Sequence, residues 1–200
     1  MKKLLLIAAV MIISVTASFA QLGVRMGMNF GDLGGDDVEH VKSSIGLHLG
    51  VVDNFELGSG ISIQPGAYYT QKNWKIENGR GKDEDLKART HHLEVPVLVK
   101  YNIEFGDIAI DPHVGPYFDF AFAGKFKDVD DVKIYRNRDN KGDWNFSNFD
   151  MGLTLGCGAT YSDIVYCGLD YQFGFKDIAK SKNTEVRSHV FMITFGVWFK

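Results

Sequence analysis

The stretch LEVPVLVKYNI (Leu93–Ile103) alternates between an apolar face and a face that carries charge. Successive side chains of a β-strand point to opposite faces, so the odd-numbered residues of this stretch form one apolar stripe. Glu94 and Lys100 share the opposite face. The alternation alone does not show which face contacts solvent. A soluble sheet buries its apolar stripe in a core, whereas a transmembrane barrel exposes it to lipid.

The same alternation recurs along the chain and predicts a protein built of β-strands. Glycine is abundant, at 22 residues, proline is scarce, at 4, and no long helical pattern occurs. The predicted strands are residues 22–30, 44–52, 57–70, 90–103, 107–123, 147–161, 165–175 and 187–199. In each strand one face is almost entirely apolar, and the other mixes polar residues with glycine.

The connections between these strands alternate in length. The long ones are residues 31–43, 71–89, 124–146 and 176–186, and the short ones are residues 53–56, 104–106 and 162–164. The turn-forming pairs Asp53-Asn54, Gly106-Asp107 and Ser162-Asp163 lie in the short connections or at their edge. Such alternation is typical of outer-membrane barrels. We therefore predict an all-β fold, an eight-stranded antiparallel up-and-down transmembrane β-barrel. The alternative is a soluble periplasmic lipocalin-like barrel that binds a small apolar ligand, with a polar outside and an apolar inside.

The start of the chain has the composition of a secretory signal peptide. Lys2 and Lys3 precede an apolar block, and Ser18-Phe19-Ala20 offers small residues at the two positions that signal peptidase reads. We expect a cleaved signal peptide over residues 1–20 and one outer-membrane β-barrel domain over residues 21–200. The composition is mildly acidic, with a net charge of −3, so nucleic acid is not an expected partner.

Three segments carry a resemblance to a known family. They read Q-P-x-x-x-Y-x-Q-K at residues 64–72, L-E-x-P-x-x-x-K-Y at residues 93–101 and G-P-Y at residues 115–117. In this combination, and over nearly all of residues 21–200, the chain resembles the PorT-type outer-membrane β-barrel proteins of Bacteroidota. The resemblance implies an eight-stranded barrel in the bacterial outer membrane, usually without a known activity. One member of that family is linked to protein secretion across this membrane.

The inner face of the predicted barrel carries charges that must be paired. The lumen of an eight-stranded barrel is just wide enough for side chains to fill it, and an unpaired buried charge costs several kcal/mol. We therefore predict a plugged barrel without an open pore, held by a structural network of polar side chains. The predicted members of this network are Glu94, Lys100, Asp111, His113, Asp119, Asp170 and Lys176.

The long connections are the expected place for a partner to bind. They mix aromatic with charged residues, which is a composition found in interaction surfaces, although aromatic residues can also anchor loops at a membrane surface. The candidate residues are Trp74, Lys75, Tyr135, Arg136, Arg138 and Trp144. The expected partners are outer-membrane lipid, the barrel-assembly machinery and a protein at the external loops.

No motif predicts catalysis, a metal site or a cofactor. The chain has no G-x-S-x-G stretch, and its histidines have no spacing typical of a zinc site. We expect a non-enzymatic protein without catalytic, cofactor-binding or metal-ligating residues. Cys157 and Cys167 flank the Ser162-Asp163 turn on the apolar face, slightly out of register. We expect two free thiols there, with a disulfide as the alternative.

Overall fold

The computed structural model describes residues 21–34, 41–76, 86–126, 148–176 and 187–199, nearly all of them in β-strands. The expected signal peptide, residues 1–20, lies outside the described residues. The strands are β1 (Gln21–Gly34), β2 (Val41–Gly58), β3 (Ile61–Ile76), β4 (Leu86–Tyr101), β5 (Ile103–Phe105), β6 (Ile108–Phe126), β7 (Phe149–Tyr161), β8 (Val165–Gly174) and β9 (Arg187–Trp198). No helix in this part of the chain is long and apolar enough to cross a membrane.

The strands close into a barrel. Each strand pairs antiparallel with its neighbours along the chain, β9 pairs with β1, and β4 pairs with β6. The short strand β5 continues β4 after Asn102, whose backbone N–H donates to the carbonyl of Gly60 at 2.7 Å, so β4 and β5 form one barrel strand. The ring therefore has eight strands and no free edge, which confirms the predicted eight-stranded antiparallel up-and-down barrel.

Exposure of the side chains shows which face is which. Leu93, Val99 and Tyr101 are 41%, 48% and 51% exposed, whereas Glu94 and Lys100 are 1% and 4% exposed. Other strands follow the same rule, with exposed Met, Leu, Ile, Val and Phe outside and buried polar side chains inside. The barrel has an apolar outside and a polar inside, which is the reverse of what the soluble lipocalin-like alternative requires.

Glycine makes room for large side chains inside the barrel. Near the short-turn end, Val52, Tyr68 and Trp198 form a buried apolar cluster. A Cβ atom on Gly23 would lie 2.7 Å from the Trp198 ring, and one on Gly66 would lie 2.8 Å from the Tyr68 ring. Real Cβ atoms do not approach other atoms this closely, so the alternation of glycine and aromatic residues on the inner face is a packing requirement.

The short turns lie at one end of the barrel, and one of them is not where the sequence predicted it. Gly106-Asp107 and Ser162-Asp163 are turns as predicted. Asp53-Asn54 is not a turn, because both residues lie inside β2 and pair with the first residues of β1. The chain instead reverses around Gly58, Ser59 and Gly60, which have φ of 96°, 55° and 78°. Glycine adopts this left-handed backbone at little cost, whereas most other residues do not.

Candidate functional site

The inside of the barrel holds a first cluster of charged side chains near the short turns. The Lys100 ammonium lies 3.0 Å from Asp111 Oδ1 and donates to Gln64 Oε1 at 3.1 Å. His113 lies between two carboxylates, with Nδ1 3.3 Å from Asp111 Oδ1 and Nε2 2.6 Å from Asp170 Oδ1. The pairing of β4 with β6 sets Lys100 directly opposite His113, so the strand register itself assembles this cluster.

A second cluster lies nearer the long connections and centres on Lys72, which sequence reasoning did not include. Glu94 and Asp119 are directly opposite each other in the pairing of β4 with β6, and like charges at such positions repel. The Lys72 ammonium bonds to Asp119 and lies 3.5 Å from Glu94 Oε2. Gln172 donates to Glu94 Oε1 at 2.7 Å, and His92 Nδ1 lies 2.8 Å from Asp119 Oδ1.

Lys176 is the one predicted lumen residue that the structure leaves out of these two clusters. It follows the end of β8, and its ammonium lies 5.1 Å from the centroid of the Phe149 ring. The other predicted lumen residues all lie in the first or the second cluster, at the distances given above.

Arg25 is a further buried cation that sequence reasoning missed. Its side chain is 1% exposed, and its guanidinium carbon lies 3.0 Å from the Tyr166 ring centroid and 4.5 Å from the Trp198 ring centroid. Within the described residues, Nε and one terminal nitrogen of the guanidinium have no hydrogen-bond partner. Strand alternation contained the signal, because Arg25 shares the inner face with Gly23 and Asn29.

A small cavity separates the two clusters. It has a volume of about 30 Å³, and its lining includes Arg25, Glu94, His113, Asp170 and Gln172. A cavity of this size holds about one or two water molecules. The side chains around it leave no wide passage there, so the middle of the lumen is filled.

The described residues contain no group of three or more histidine, cysteine, aspartate or glutamate side chains that could hold a metal ion. The buried carboxylates of the lumen instead pair with lysine and histidine. The charges of the two clusters are therefore paired with one another inside the barrel.

Comparison with known proteins agrees with this geometry. A family profile described as the outer membrane protein β-barrel domain matches residues 15–180. The chain belongs to the outer membrane protein β-barrel domain family. Members of such a family lie in the bacterial outer membrane, and the apolar outside of this barrel is its lipid-facing surface.

Solved structures of outer-membrane barrels share the fold. Neisserial surface protein A has a TM-score of 0.51 at 14% identity, over 91% of this chain and 100% of that chain. Ail of Yersinia pestis, in complex with the heparin analogue sucrose octasulfate, has a TM-score of 0.51 at 13% identity, over the same shares. OprG from Pseudomonas aeruginosa has a TM-score of 0.50 at 17% identity, over 90% of this chain and 96% of that chain. A search among curated proteins found no match.

Aromatic residues cluster on the outer face of this outer-membrane barrel toward its long-connection end. On the outer face, the Tyr69 hydroxyl lies 2.6 Å from His91 Nδ1, and the Phe122 ring centroid lies 6.3 Å from the centroids of both rings. A second group on β8 and β9 joins Tyr171 and His189, whose ring centroids lie 6.2 Å apart. Rings with an apolar body and a polar edge favour the level of the lipid headgroups.

The loop candidates divide into two sets. Tyr135, Arg136, Arg138 and Trp144 lie outside the described residues. Trp74 and Lys75 are not in a loop, because β3 extends to Ile76 and the next strand begins at Leu86. The second long connection of this outer-membrane barrel is therefore residues 77–85, much shorter than the predicted 71–89.

The cysteines of this outer-membrane barrel are both free and exposed on its outer face. Cys157 pairs with Leu169, and Cys167 pairs with Ala159, so the two thiols are diagonal and not opposite in the ladder. The expectation of two free thiols is confirmed.

Proposed function

We propose that the protein is a non-enzymatic outer-membrane barrel that holds its long extracellular loops at the cell surface, where they bind a protein partner or serve a structural or secretion-accessory role. The observation that carries this proposal is the filled lumen. Two clusters of paired charges occupy the interior, and the cavity between them has a volume of only about 30 Å³. A barrel whose interior is filled in this way is suited to anchoring its loops and not to passing solutes.

The position of the long connections supports a role at the cell surface. Four connections, residues 35–40, 77–85, 127–147 and 177–186, join strand ends at the same end of the barrel, opposite the short turns. In outer-membrane barrels the long loops face outward from the cell and the short turns face the periplasm. Ail, which shares this fold, has been crystallised with a heparin analogue, so a barrel of this kind can carry an external ligand.

The proposed non-enzymatic character rests on the surroundings of the ionisable groups. His113 and His92 each contact a carboxylate, as a catalytic histidine would, but both are buried inside the barrel. A general base must come within hydrogen-bond reach of a substrate proton, and the packed interior offers a substrate no such access.

The resemblance to the PorT-type proteins of Bacteroidota supports a secretion-accessory role as the finer form of the proposal. It rests on the Q-P-x-x-x-Y-x-Q-K, L-E-x-P-x-x-x-K-Y and G-P-Y segments. Two of these segments contribute to the second cluster inside the barrel. The first segment ends at Lys72 and the second contains Glu94, and these two side chains form an ion pair there. Because the shared segments have this structural role, we place the proposed function in the loops and not in the segments.

The filled lumen is tested by single-channel recording on the purified protein in planar bilayers. We expect a conductance no higher than that of bilayers with the heat-denatured protein, because the paired charges fill the lumen. Stepwise openings that persist at high salt would contradict the proposal and make the protein a channel.

The surface role is tested by photo-crosslinking in the native cell. A photoreactive residue in place of Tyr135 or Trp144 should give crosslinked products with one defined partner, whereas the same residue in place of Ser59, in a periplasmic turn, should not. A matching pattern at all three positions would contradict a partner specific to the extracellular loops.

A further inference from the structure

The middle of the lumen contains the small cavity that separates the two charge clusters. Its volume is about 30 Å³, and the side chains that line it come from strands on several sides of the barrel. They include Arg25 on β1, Glu94 on β4, Thr154 on β7 and Gln172 on β8. All four are polar, so the hydrogen bonds that they still offer decide what the cavity can hold.

Two of these residues bring hydrogen-bond donors that have no partner. Arg25 is buried, and within the described residues its Nε and one terminal nitrogen make no hydrogen bond. The hydroxyl of the buried Thr154 makes none there either. A buried donor without a partner has lost its bond to water and gained nothing in exchange. The wall of the cavity therefore carries two N–H groups and one hydroxyl that require an acceptor.

The other two residues bring acceptors that have no donor. Gln172 uses its amide nitrogen to donate to Glu94 Oε1 at 2.7 Å, and its own Oε1 has no partner among the described residues. Glu94 Oε2 lies 3.5 Å from the Lys72 ammonium but accepts no hydrogen bond within the same part of the chain. The cavity is thus lined by donors and acceptors together, and each set lacks its complement.

The backbone beside the cavity is also incompletely paired. Gly66 and Ala67 on β3 have no ladder partner on β4, and Gly115 and Pro116 on β6 have none on β4 either. Pro96 of β4 lies between these two interruptions, lines the cavity and has no N–H to donate. Lipid offers a backbone group no hydrogen bond, so a partner for this part of the ladder has to come from inside the barrel.

The mixture of donors and acceptors selects the ligand. A halide ion could accept from Arg25 and Thr154, but it has no hydrogen to donate to Gln172 Oε1. A metal cation would be repelled by the guanidinium of Arg25. Water both donates and accepts, a buried water makes about three hydrogen bonds, and a cavity of about 30 Å³ holds one or two such molecules.

We propose that this cavity is a specific binding site for ordered water, which joins Arg25 and Thr154 to Gln172 and Glu94. Glu94 belongs to the second cluster, and His113 of the first cluster also lines the cavity. The bound water therefore lies between the two clusters and connects Arg25 to the lumen network. The site is independent of the function proposed for the loops, because it uses only inner-face residues in the middle of the barrel.

The test is a crystal structure of the full chain, at a resolution that shows ordered water, from crystals grown in sodium bromide. We expect one or two density peaks in the cavity, within hydrogen-bond distance of Arg25 and Gln172 and without anomalous scattering from bromide. An anomalous peak would overturn the proposal, because the site would then hold a halide. A second crystal under xenon pressure should show no xenon in the cavity, since xenon enters dry apolar cavities. Xenon there, or a cavity without density, would overturn the proposal as well.

A matched pair of variants tests whether the wall of the cavity selects the water. Thr154→Val nearly preserves the shape of the side chain and removes one hydroxyl from the wall. Thr160→Val makes the same change on the inner face of the same strand, at a residue outside the cavity lining. The density of the water beside residue 154 should weaken or disappear in Thr154→Val and stay unchanged in Thr160→Val. Unchanged water in both variants would contradict the assigned role of Thr154, and the wild-type crystals test the site without any substitution.

Discussion

Removal of the cation of the second cluster should destabilise the barrel strongly. In a Lys72→Met variant the buried carboxylates of Glu94 and Asp119 would face each other across the β4–β6 ladder without the ammonium that now lies between them. Breaking a buried ion pair by removing one partner costs about 3–5 kcal/mol. Glu94 would keep its hydrogen bond from Gln172, and Asp119 would keep His92, so we expect a loss of about 3 kcal/mol, at the lower end of that range.

The assay is urea unfolding of the refolded barrel in lipid vesicles, followed by tryptophan fluorescence and by the change in gel mobility on unfolding. Arg89→Met is the matched control, because it removes an exposed cation from the neighbouring strand β4, and surface charges change stability by about 0.5 kcal/mol or less. A double variant, Lys72→Met with Glu94→Gln, should recover about 1–3 kcal/mol of the loss, since it removes one of the opposed carboxylates.

Equal free energies of unfolding for Lys72→Met and Arg89→Met would refute this reasoning. A double variant that is no more stable than Lys72→Met would refute it as well, because the penalty would then not come from the opposed carboxylates.

Two further substitutions test the lipid-facing surface and the inner packing. Val97→Arg should lower the free energy of unfolding by about 2–4 kcal/mol and reduce insertion into membranes, because Val97 lies on the outer face of β4 between His91 and Tyr101. Tyr101→Arg, at the end of the same strand, should lower it by about 0–1 kcal/mol. Equal yields of both variants in the outer-membrane fraction would mean that the face or the depth of Val97 is misassigned. Gly156→Ala should lower the free energy of unfolding by about 1–3 kcal/mol in the same urea assay, because its Cβ would collide with the His113–Asp170 pair. Gly31→Ala is the control and should leave the free energy of unfolding unchanged, since no atom lies within 4 Å of the new Cβ. An unchanged free energy of unfolding for Gly156→Ala would contradict the inner packing.

The strands could be predicted because lipid imposes a strict alternation on them. An outward position at membrane depth must be apolar, and an inward position must be polar or small, so the stretch from Leu93 to Tyr101 shows its period directly in the sequence. The same period assigned Glu94 and Lys100 to the lumen, where both are buried.

The strand ends beside the long connections could not be predicted from this pattern. Beyond the membrane both faces of a strand may be polar, so Asn73 and Lys75 on β3 and Lys87 and Arg89 on β4 look like loop residues although the ladder continues through them. For this reason the sequence pattern places Lys72 in the connection 71–89 and outside the predicted lumen network. Counting the inner positions onward from Tyr68 would have included it.

The position of the turn after β2 could not be predicted from the sequence either. Asp53-Asn54 and Gly58-Ser59-Gly60 both have turn-forming chemistry, and only pairing with neighbouring strands decides between them. β1 begins at Gln21, opposite Asn54, so the ladder extends through the first pair and the chain reverses at the glycines. Arg25 was missed for a different reason, because a single arginine among glycines looks like a surface residue until the barrel closes around it.

The central claim is that this chain is a closed barrel in the outer membrane with its apolar face toward lipid. Semi-native gel electrophoresis of carbonate-washed outer membranes tests it most directly. We predict that the unboiled protein stays in the washed membrane pellet and migrates at a different position from the boiled protein. A protein that is released into the periplasmic fraction and has the same mobility with and without boiling would contradict the account.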